Sequence, residues 1–159
     1  MKNKAIALIV LGVIIIGGGY WIANTGAPSD QLVIQESDKT KVTMYKSPTC
    51  GCCVKHAAYL EGRGFEVEVV KESDMQSLKR QYNIPSVAQS CHTAVIGDYI
   101  VEGHVPVEAI NKLLSERPDI DGIGLAGMPA GSPGMPGVQS GSFNIYALND
   151  GQISDYVAL

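Results

Sequence analysis

Three cysteines lie within four consecutive residues, Cys50-Gly51-Cys52-Cys53. Cys50 and Cys53 have the Cys-x-x-Cys spacing, which suits both disulfide exchange and soft-metal binding, and they are the candidate catalytic pair. At a helix N-terminus, free backbone N–H groups and the helix dipole favour the thiolate, which is both nucleophile and metal ligand. Cys52 favours the metal, because a third adjacent thiol invites wrong disulfides in an oxidoreductase. Three thiolates suit Cu(I) or Zn²⁺.

Cys91 and His92 directly precede a predicted strand. Thioredoxin-like folds normally place a cis-proline there, packed against the Cys-x-x-Cys motif. We therefore expect Cys91 and His92 to lie beside Cys50 and Cys53, which would bring four cysteines together. Alternatively, Cys91 is a small buried hydrophobic residue, and His92 only hydrogen-bonds the loop. A plain disulfide is the alternative for the first cluster, and we disfavour it because cysteines so close in sequence form strained bridges.

Further soft or borderline ligands occur later in the chain. His104 lies between a predicted strand and a predicted helix, where it is either a ligand or a capping residue. Met128 and Met135 flank a Gly/Pro-rich loop with little core to fill, so their thioethers are candidate Cu(I) ligands, with a hydrophobic plug as the alternative. His56 follows Cys53 by three residues on one helix face, and we expect a solvated histidine there.

Hydrophobic periodicity predicts the elements that position these residues. Helices are predicted after Cys50, after Asp74 and from Pro106. The predicted strands cover residues 41–45, 65–70, 93–96 and 99–102. A β-α-β unit followed by a hairpin and a closing helix gives an α/β fold with a four-stranded mixed sheet and flanking helices. A Cys-x-x-Cys motif between the first strand and first helix is the thioredoxin arrangement, predicted for residues 41–117.

The C-terminal residues 118–159 form a predicted extension. Gly and Pro are so frequent in residues 118–141 that we predict no regular element there. Structure is predicted to resume in a β-hairpin around Asn149-Asp150-Gly151. A loop held between ordered elements is more often functional than a free tail, so we predict a metal-site loop followed by a hairpin.

The N-terminal residues are predicted to form a targeting segment. Residues 5–23 are uncharged and nearly long enough to span a hydrocarbon core of about 30 Å. We predict that residues 1–26 form an uncleaved signal anchor with a transmembrane helix, with a cleaved signal peptide as the alternative, and that residues 27–40 form a linker. Lys2 and Lys4 retain the N-terminus in the cytoplasm, so the domain is expected in the periplasm, anchored to the inner membrane.

Composition excludes one class of partner. The 159 residues contain 16 acidic and 12 basic side chains, for a net charge of −4, and no basic stripe is evident. Nucleic-acid binding depends on Lys and Arg neutralising phosphates, so we expect no nucleic-acid partner. The length is that of about one domain.

The chain resembles the CopG-type copper-resistance family of exported proteins, which is recognised by a Cys-x-Cys-Cys motif. Four motifs carry the resemblance in the same order, at residues 47–53, 90–94, 102–106 and 127–135. The resemblance implies a thioredoxin-like domain whose C-terminal extension helps to bind metal. It also implies a cysteine-bridged copper site with a role in Cu(I)/Cu(II) interconversion. Many relatives carry Trp at the position of His56, which either removes an aromatic cover or adds a ligand.

Together these observations predict an exported Cu(I)-binding protein of periplasmic copper resistance. The predicted ligands are Cys50, Cys52, Cys53, Cys91, His92, His104, Met128 and Met135. Copper is the expected cofactor, and copper efflux or chaperone proteins are the expected partners. Whether the protein acts as a copper oxidoreductase stays open. The alternatives are a membrane-tethered thiol–disulfide oxidoreductase, in which Cys53 resolves Cys50, and a zinc-stabilised binding module.

Overall fold

The computed structural model describes residues 39–159 of the chain. The predicted signal anchor and nearly all of the predicted linker lie outside the described residues. Within residues 39–159, no helix is both long and apolar enough to cross a membrane.

In residues 39–159, seven strands form one mixed β-sheet. They are β1 (Lys41–Lys46), β2 (Glu66–Lys71), β3 (His92–Ile96), β4 (Tyr99–Gly103), β5 (Gly122–Leu125), β6 (Asn144–Asn149) and β7 (Gln152–Ala158). Their order across the sheet is β2-β1-β3-β4-β5-β6-β7. The β1–β2 and β4–β5 pairs are parallel, and the other neighbouring pairs are antiparallel.

Three α-helices connect the strands in this described part of the chain. They are α1 (Gly51–Glu61), α2 (Met75–Gln81) and α3 (Val107–Glu116), and a short 3₁₀ helix covers Ser86–Ala88. Residues of α1 and α3 share one buried apolar cluster with the strands, so both helices pack against the sheet. The largest side chains of this cluster that are fully inaccessible to solvent are Met44, Leu60, Ile96, Ile110, Leu113, Ile123 and Ile145.

The mixed α/β class and the four predicted strands are present, but the prediction of a four-stranded sheet is wrong. The C-terminal extension joins the same sheet, so the sheet has seven strands. The expectation of no regular element in residues 118–141 is also wrong, because β5 lies there. A Cβ atom at Gly122 would overlap the Ile100 carbonyl group, so glycine is what allows β5 to approach β4. The predicted hairpin is present, and Asp150 and Gly151 both take the positive φ that its turn needs.

Candidate metal centre

The N-terminus of α1 holds the first cysteine pair. Cys50 is the N-cap residue, and its Sγ accepts a hydrogen bond from the Cys53 backbone N–H at 3.3 Å. The two cysteines are joined in a disulfide. This corrects the expectation that a disulfide is disfavoured: one turn of helix brings their Cα atoms to 5.6 Å, inside the range that disulfides require. Metal binding by this pair therefore requires prior reduction.

The loop before β3 brings a fourth sulfur to this pair. Cys91 Sγ lies 3.5 Å from Cys53 Sγ and 3.8 Å from Cys52 Sγ, and Cys52 Sγ lies 3.4 Å from Cys50 Sγ. All four sulfur atoms lie within 4.8 Å of one another. Cys52 and Cys91 are free thiols and are partly exposed. The structure thus brings the four cysteines together, as the strand assignment led us to expect.

Cys91 also belongs to a second group of donors. Its Sγ lies 3.1 Å from His104 Nε2 and 3.3 Å from His92 Nδ1. Cys91, His92 and His104 offer three ligand atoms within 4.8 Å of one another. Both histidines are fully buried. One thiol is therefore shared between a sulfur cluster and a pair of imidazoles.

His56 lies against these imidazoles, which corrects the expectation of a solvated helix histidine. Its side chain is 0% exposed. Its Nδ1 lies 2.8 Å from His92 Nε2, and its Nε2 lies 3.1 Å from the Val105 carbonyl oxygen. The spacing of the buried positions could have revealed it, because Cys53, His56 and Leu60 recur at helical intervals along the inner face of α1.

Burial keeps the imidazoles neutral. Desolvation, followed by the charge of His104, lowers the pKa of His56 to about 4. Desolvation also lowers the pKa of His104, and it lowers the pKa of His92 well below its usual value, with smaller effects from His56, His104 and Lys79. Near neutral pH, each ring therefore keeps an unprotonated nitrogen.

Burial raises the pKa of the shared Cys91 thiol, whereas it lowers the pKa values of the imidazoles. Desolvation, followed by the charge of Cys52, raises the pKa of Cys91 to about 12. Without a metal, the Cys91 sulfur is therefore protonated near neutral pH. A metal ion must displace that proton in order to bind the thiolate.

The Gly/Pro-rich loop covers the imidazole side of the site. The Pro133 carbonyl oxygen accepts a hydrogen bond from His104 Nδ1 at 2.7 Å. Gly134 has a φ of +84° and packs so closely on α1 that a Cβ atom would lie 2.7 Å from the His56 backbone nitrogen. Met128 is 38% exposed, and Met135 is half-buried. Ligation by these two thioethers stays a prediction.

A buried ion pair, which the sequence did not reveal, holds the loop that carries Cys91. Lys79 and Glu102 are nearly inaccessible and form a salt bridge. Glu102 Oε1 also accepts a hydrogen bond from the Ser90 backbone N–H at 2.6 Å, and its Oε2 accepts one from Thr93 Oγ1 at 2.6 Å. Ser90 and Thr93 bracket the Cys91-His92 dipeptide, so this network fixes the backbone on either side of it. An acidic residue in an otherwise apolar strand was the available signal.

The fold and the site define a mixed α/β protein with a thiol–imidazole cluster between the start of α1 and the β3–β4 hairpin. Two solved structures resemble the chain, both named "Copper resistance protein copG", in form 2 and form 1. Each is 37% identical and covers 77% of this chain, and the matches cover 99% and 98% of those chains with TM-scores of 0.71 and 0.70. The chain belongs to the CopG family of copper resistance proteins, which confirms the resemblance seen in the sequence.

Two other comparisons give less information about the function of the chain. A family profile described as "Protein of unknown function, DUF411" matches residues 88–135. This range includes Cys91, His92, His104 and the Gly/Pro-rich loop, but not the first cysteine cluster. No curated protein matches the chain significantly.

Proposed function

We propose that the protein binds Cu(I) in copper resistance, as the names of its relatives suggest. The observation that supports this most strongly is the double role of Cys91, whose Sγ contacts both Cys53 Sγ and His104 Nε2. When the disulfide is reduced, four sulfurs and two imidazole nitrogens surround one small region. Thiolates select soft ions such as Cu(I), so this donor set fits copper.

The mixed donor set also bears on oxidation state. Imidazole serves Cu(II) as well as Cu(I), so the side of the site formed by His92 and His104 can hold either ion. We include Cu(I)/Cu(II) interconversion in the proposal on this ground, with the one electron per copper ion exchanged with an external redox partner. The contacts of Pro133 with His104 and of Gly134 with α1 support a role for the loop in limiting the access of water and oxidants.

The proposal extends to fold family and location. The strand order β2-β1-β3-β4, with the cysteine motif capping α1, supports a thioredoxin-like domain at residues 41–117, with residues 118–159 as its extension. The uncharged residues 5–23 and the basic leader support export to the periplasm with an inner-membrane anchor. Copper efflux or chaperone proteins would then be its partners.

A Cu(I) competition titration tests the proposal. The purified protein, fully reduced under anaerobic conditions, is titrated with Cu(I) against a chromogenic chelator. We expect tight binding in the wild type and severe loss in the Cys50→Ser, Cys53→Ser double variant. Val54→Ser is the matched control, because Val54 is exposed on the same helical turn and lies outside the cysteine cluster. The proposal fails if the double variant binds Cu(I) as tightly as Val54→Ser does.

The Cys50–Cys53 disulfide supports a second candidate function, that of a thiol–disulfide oxidoreductase. In that case a reduced Cys50 thiolate attacks a substrate disulfide, Cys53 then displaces the reduced substrate, and the protein keeps the disulfide. An insulin-reduction assay on the metal-free protein separates the two functions. Sustained turnover that Cys53→Ser abolishes would favour this candidate, whereas tight Cu(I) binding without turnover supports the copper protein.

A further inference from the structure

We propose that His56 is a positioning residue that fixes the tautomer of His92, so that the unprotonated Nδ1 of His92 faces Cys91. The inference rests on the proposed function insofar as it makes His92 a metal ligand. It replaces both roles that the resemblance suggested for His56, because it makes His56 neither a lost aromatic cover nor a ligand.

The assignment begins at a backbone carbonyl group. His56 Nε2 lies 3.1 Å from the Val105 carbonyl oxygen, which can only accept a hydrogen bond. His56 must therefore carry its proton on Nε2 and donate it to Val105. In a neutral imidazole the other nitrogen is then an acceptor, so His56 Nδ1 presents a lone pair to its neighbour.

That neighbour is His92. His92 Nε2 lies 2.8 Å from His56 Nδ1, and two lone pairs at that distance would repel each other. His92 must therefore carry its proton on Nε2 and donate it to His56. Its Nδ1 is left unprotonated, 3.3 Å from Cys91 Sγ. The orientation of one carbonyl group in the loop before α3 thus determines which nitrogen of His92 can bind a metal ion.

A separate carbonyl group sets the other imidazole. His104 Nδ1 lies 2.7 Å from the Pro133 carbonyl oxygen and must donate to it. His104 Nε2 is then unprotonated and lies 3.1 Å from Cys91 Sγ. Two independent hydrogen-bond chains, one through His56 and one from the loop, therefore direct two nitrogen lone pairs at the same sulfur atom.

His56 itself is not placed to bind the metal, because both of its ring nitrogens already have partners. Metal-binding histidines usually donate their second N–H to a carbonyl or carboxylate group, which fixes the ring and its tautomer. Here an imidazole from α1 takes that place, and a carbonyl group orients that imidazole in turn. The arrangement also ties α1, which carries the cysteine cluster, to the histidine of β3.

The test is direct observation of the tautomers by ¹⁵N NMR of the imidazoles in the metal-free protein near neutral pH. The wild type should show His92 protonated on Nε2 and His104 protonated on Nδ1. His56→Phe keeps a ring without an acceptor, so His92 should lose its single tautomer, and Cu(I) affinity should fall about 10- to 100-fold. His56→Asn should restore the tautomer and most of the affinity, because its side-chain oxygen can accept at the position of Nδ1.

Tyr59→Phe is the matched control. It removes a neighbouring hydrogen bond, from the Val107 backbone N–H to the Tyr59 hydroxyl group, and leaves the imidazoles in place. The inference is overturned if wild-type His92 is protonated on Nδ1, or if His56→Phe retains both the tautomer and the affinity of Tyr59→Phe. If His56→Phe does not fold, the wild-type spectrum alone decides. A wild type with the expected tautomers but no Cu(I) affinity would overturn the proposed function and uphold the tautomer assignment.

Discussion

Cys91 and His104 face each other across the open end of the β3–β4 hairpin, with Sγ and Nε2 3.1 Å apart. Their pairing follows from strand register, because Thr93 pairs with Glu102 and the same antiparallel register continued outward sets Cys91 opposite His104. The ladder of the sheet thus determines which thiol meets which imidazole. A slip of one residue would reverse the faces of the side chains and separate the two.

Substitution of the shared cysteine should damage the site more than substitution of any other thiol. In Cys91→Ser, both donor groups lose a sulfur, whereas Cys52→Ser removes one from the cysteine group alone. We expect Cys91→Ser to weaken Cu(I) binding by more than the roughly 10- to 100-fold that the loss of an outer-shell partner costs. Competition titration of the two reduced variants measures the difference. Equal losses in both variants would contradict a shared role for Cys91.

The loop that covers the site depends on Gly134. In Gly134→Ala, a Cβ atom would lie 2.7 Å from the His56 backbone nitrogen, at a positive φ that costs an L-residue about 1–2 kcal/mol. We expect the loop to lift, so that Cys91 reacts faster with iodoacetamide, as followed by mass spectrometry. Gly127→Ala is the control, because Gly127 also has a positive φ but a Cβ atom added there would meet no atom within 4 Å. Equal alkylation rates in both variants would show that the contact with α1 does not hold the loop.

Local sequence signals were sufficient for much of this architecture. Short runs of β-branched, aromatic and other apolar residues marked β1 to β4, and an Asn-Asp-Gly turn marked the last hairpin. The position of Cys91 just before β3 was enough to place it near the first cysteine cluster, because β3 pairs with β1 and the cluster directly follows β1. These features depend on residues that are close in sequence or on one strand pairing.

Other features depend on contacts that no local pattern encodes. Composition alone predicted an irregular segment where β5 lies, because glycine is usually unfavourable in strands. In this sheet, however, Gly122 is needed for close packing against Ile100. Helical spacing places His56 on the inner face of α1, but its complete burial also depends on a loop almost 80 residues later, since Gly134 packs on the His56 backbone. The Lys79–Glu102 pair likewise joins a helix to a strand that is distant in sequence.

The buried Lys79–Glu102 ion pair should contribute to the stability of the fold. In Glu102→Gln, the buried Lys79 ammonium group loses its counter-charge, and breaking a buried pair in this way costs about 3–5 kcal/mol. Urea unfolding of the metal-free protein measures the loss. Glu116→Gln is the matched control, because Glu116 pairs with Lys112 on the exposed face of α3 and should have a much smaller effect. Similar losses in both variants would contradict the structural role of the buried pair.

Acid should destabilise the metal-free protein. The pKa of His56 is lowered from 6.5 to about 4, so below pH 6.5 the unfolded chain binds a proton that the folded chain does not. Stability therefore falls as the pH falls from 6.5 to about 4, by roughly 3 kcal/mol from this residue alone. His92 and His104 shift in the same direction and steepen the loss. Urea unfolding at several pH values in this range measures the loss of stability. In His56→Phe, the free energy of unfolding should depend on pH less steeply, by the equivalent of about one proton. An unchanged pH dependence would contradict the lowered pKa of His56.

The disulfide at the start of α1 should control how much copper the protein can bind. While Cys50 and Cys53 are joined, only Cys52 and Cys91 offer free thiols to a metal ion, together with the nearby imidazoles. Reduction adds two sulfurs to the same region, so the protein reduced with a phosphine should bind more Cu(I) per chain than the oxidised protein. Anaerobic titration of both forms, after removal of the reductant, measures the difference.

The Cys50→Ser, Cys53→Ser double variant separates this effect from general thiol chemistry. It cannot form the disulfide, so its Cu(I) stoichiometry should be the same before and after treatment with the phosphine, and close to that of the oxidised wild type. This result would show that the phosphine acts on the wild type through the Cys50–Cys53 disulfide, because Cys52 and Cys91 are free thiols in both the oxidised and the reduced protein. If the oxidised and reduced wild-type proteins bind equal amounts of Cu(I), the Cys50–Cys53 pair does not contribute ligands, and the metal is held by the remaining donors, Cys52, Cys91 and the nearby imidazoles.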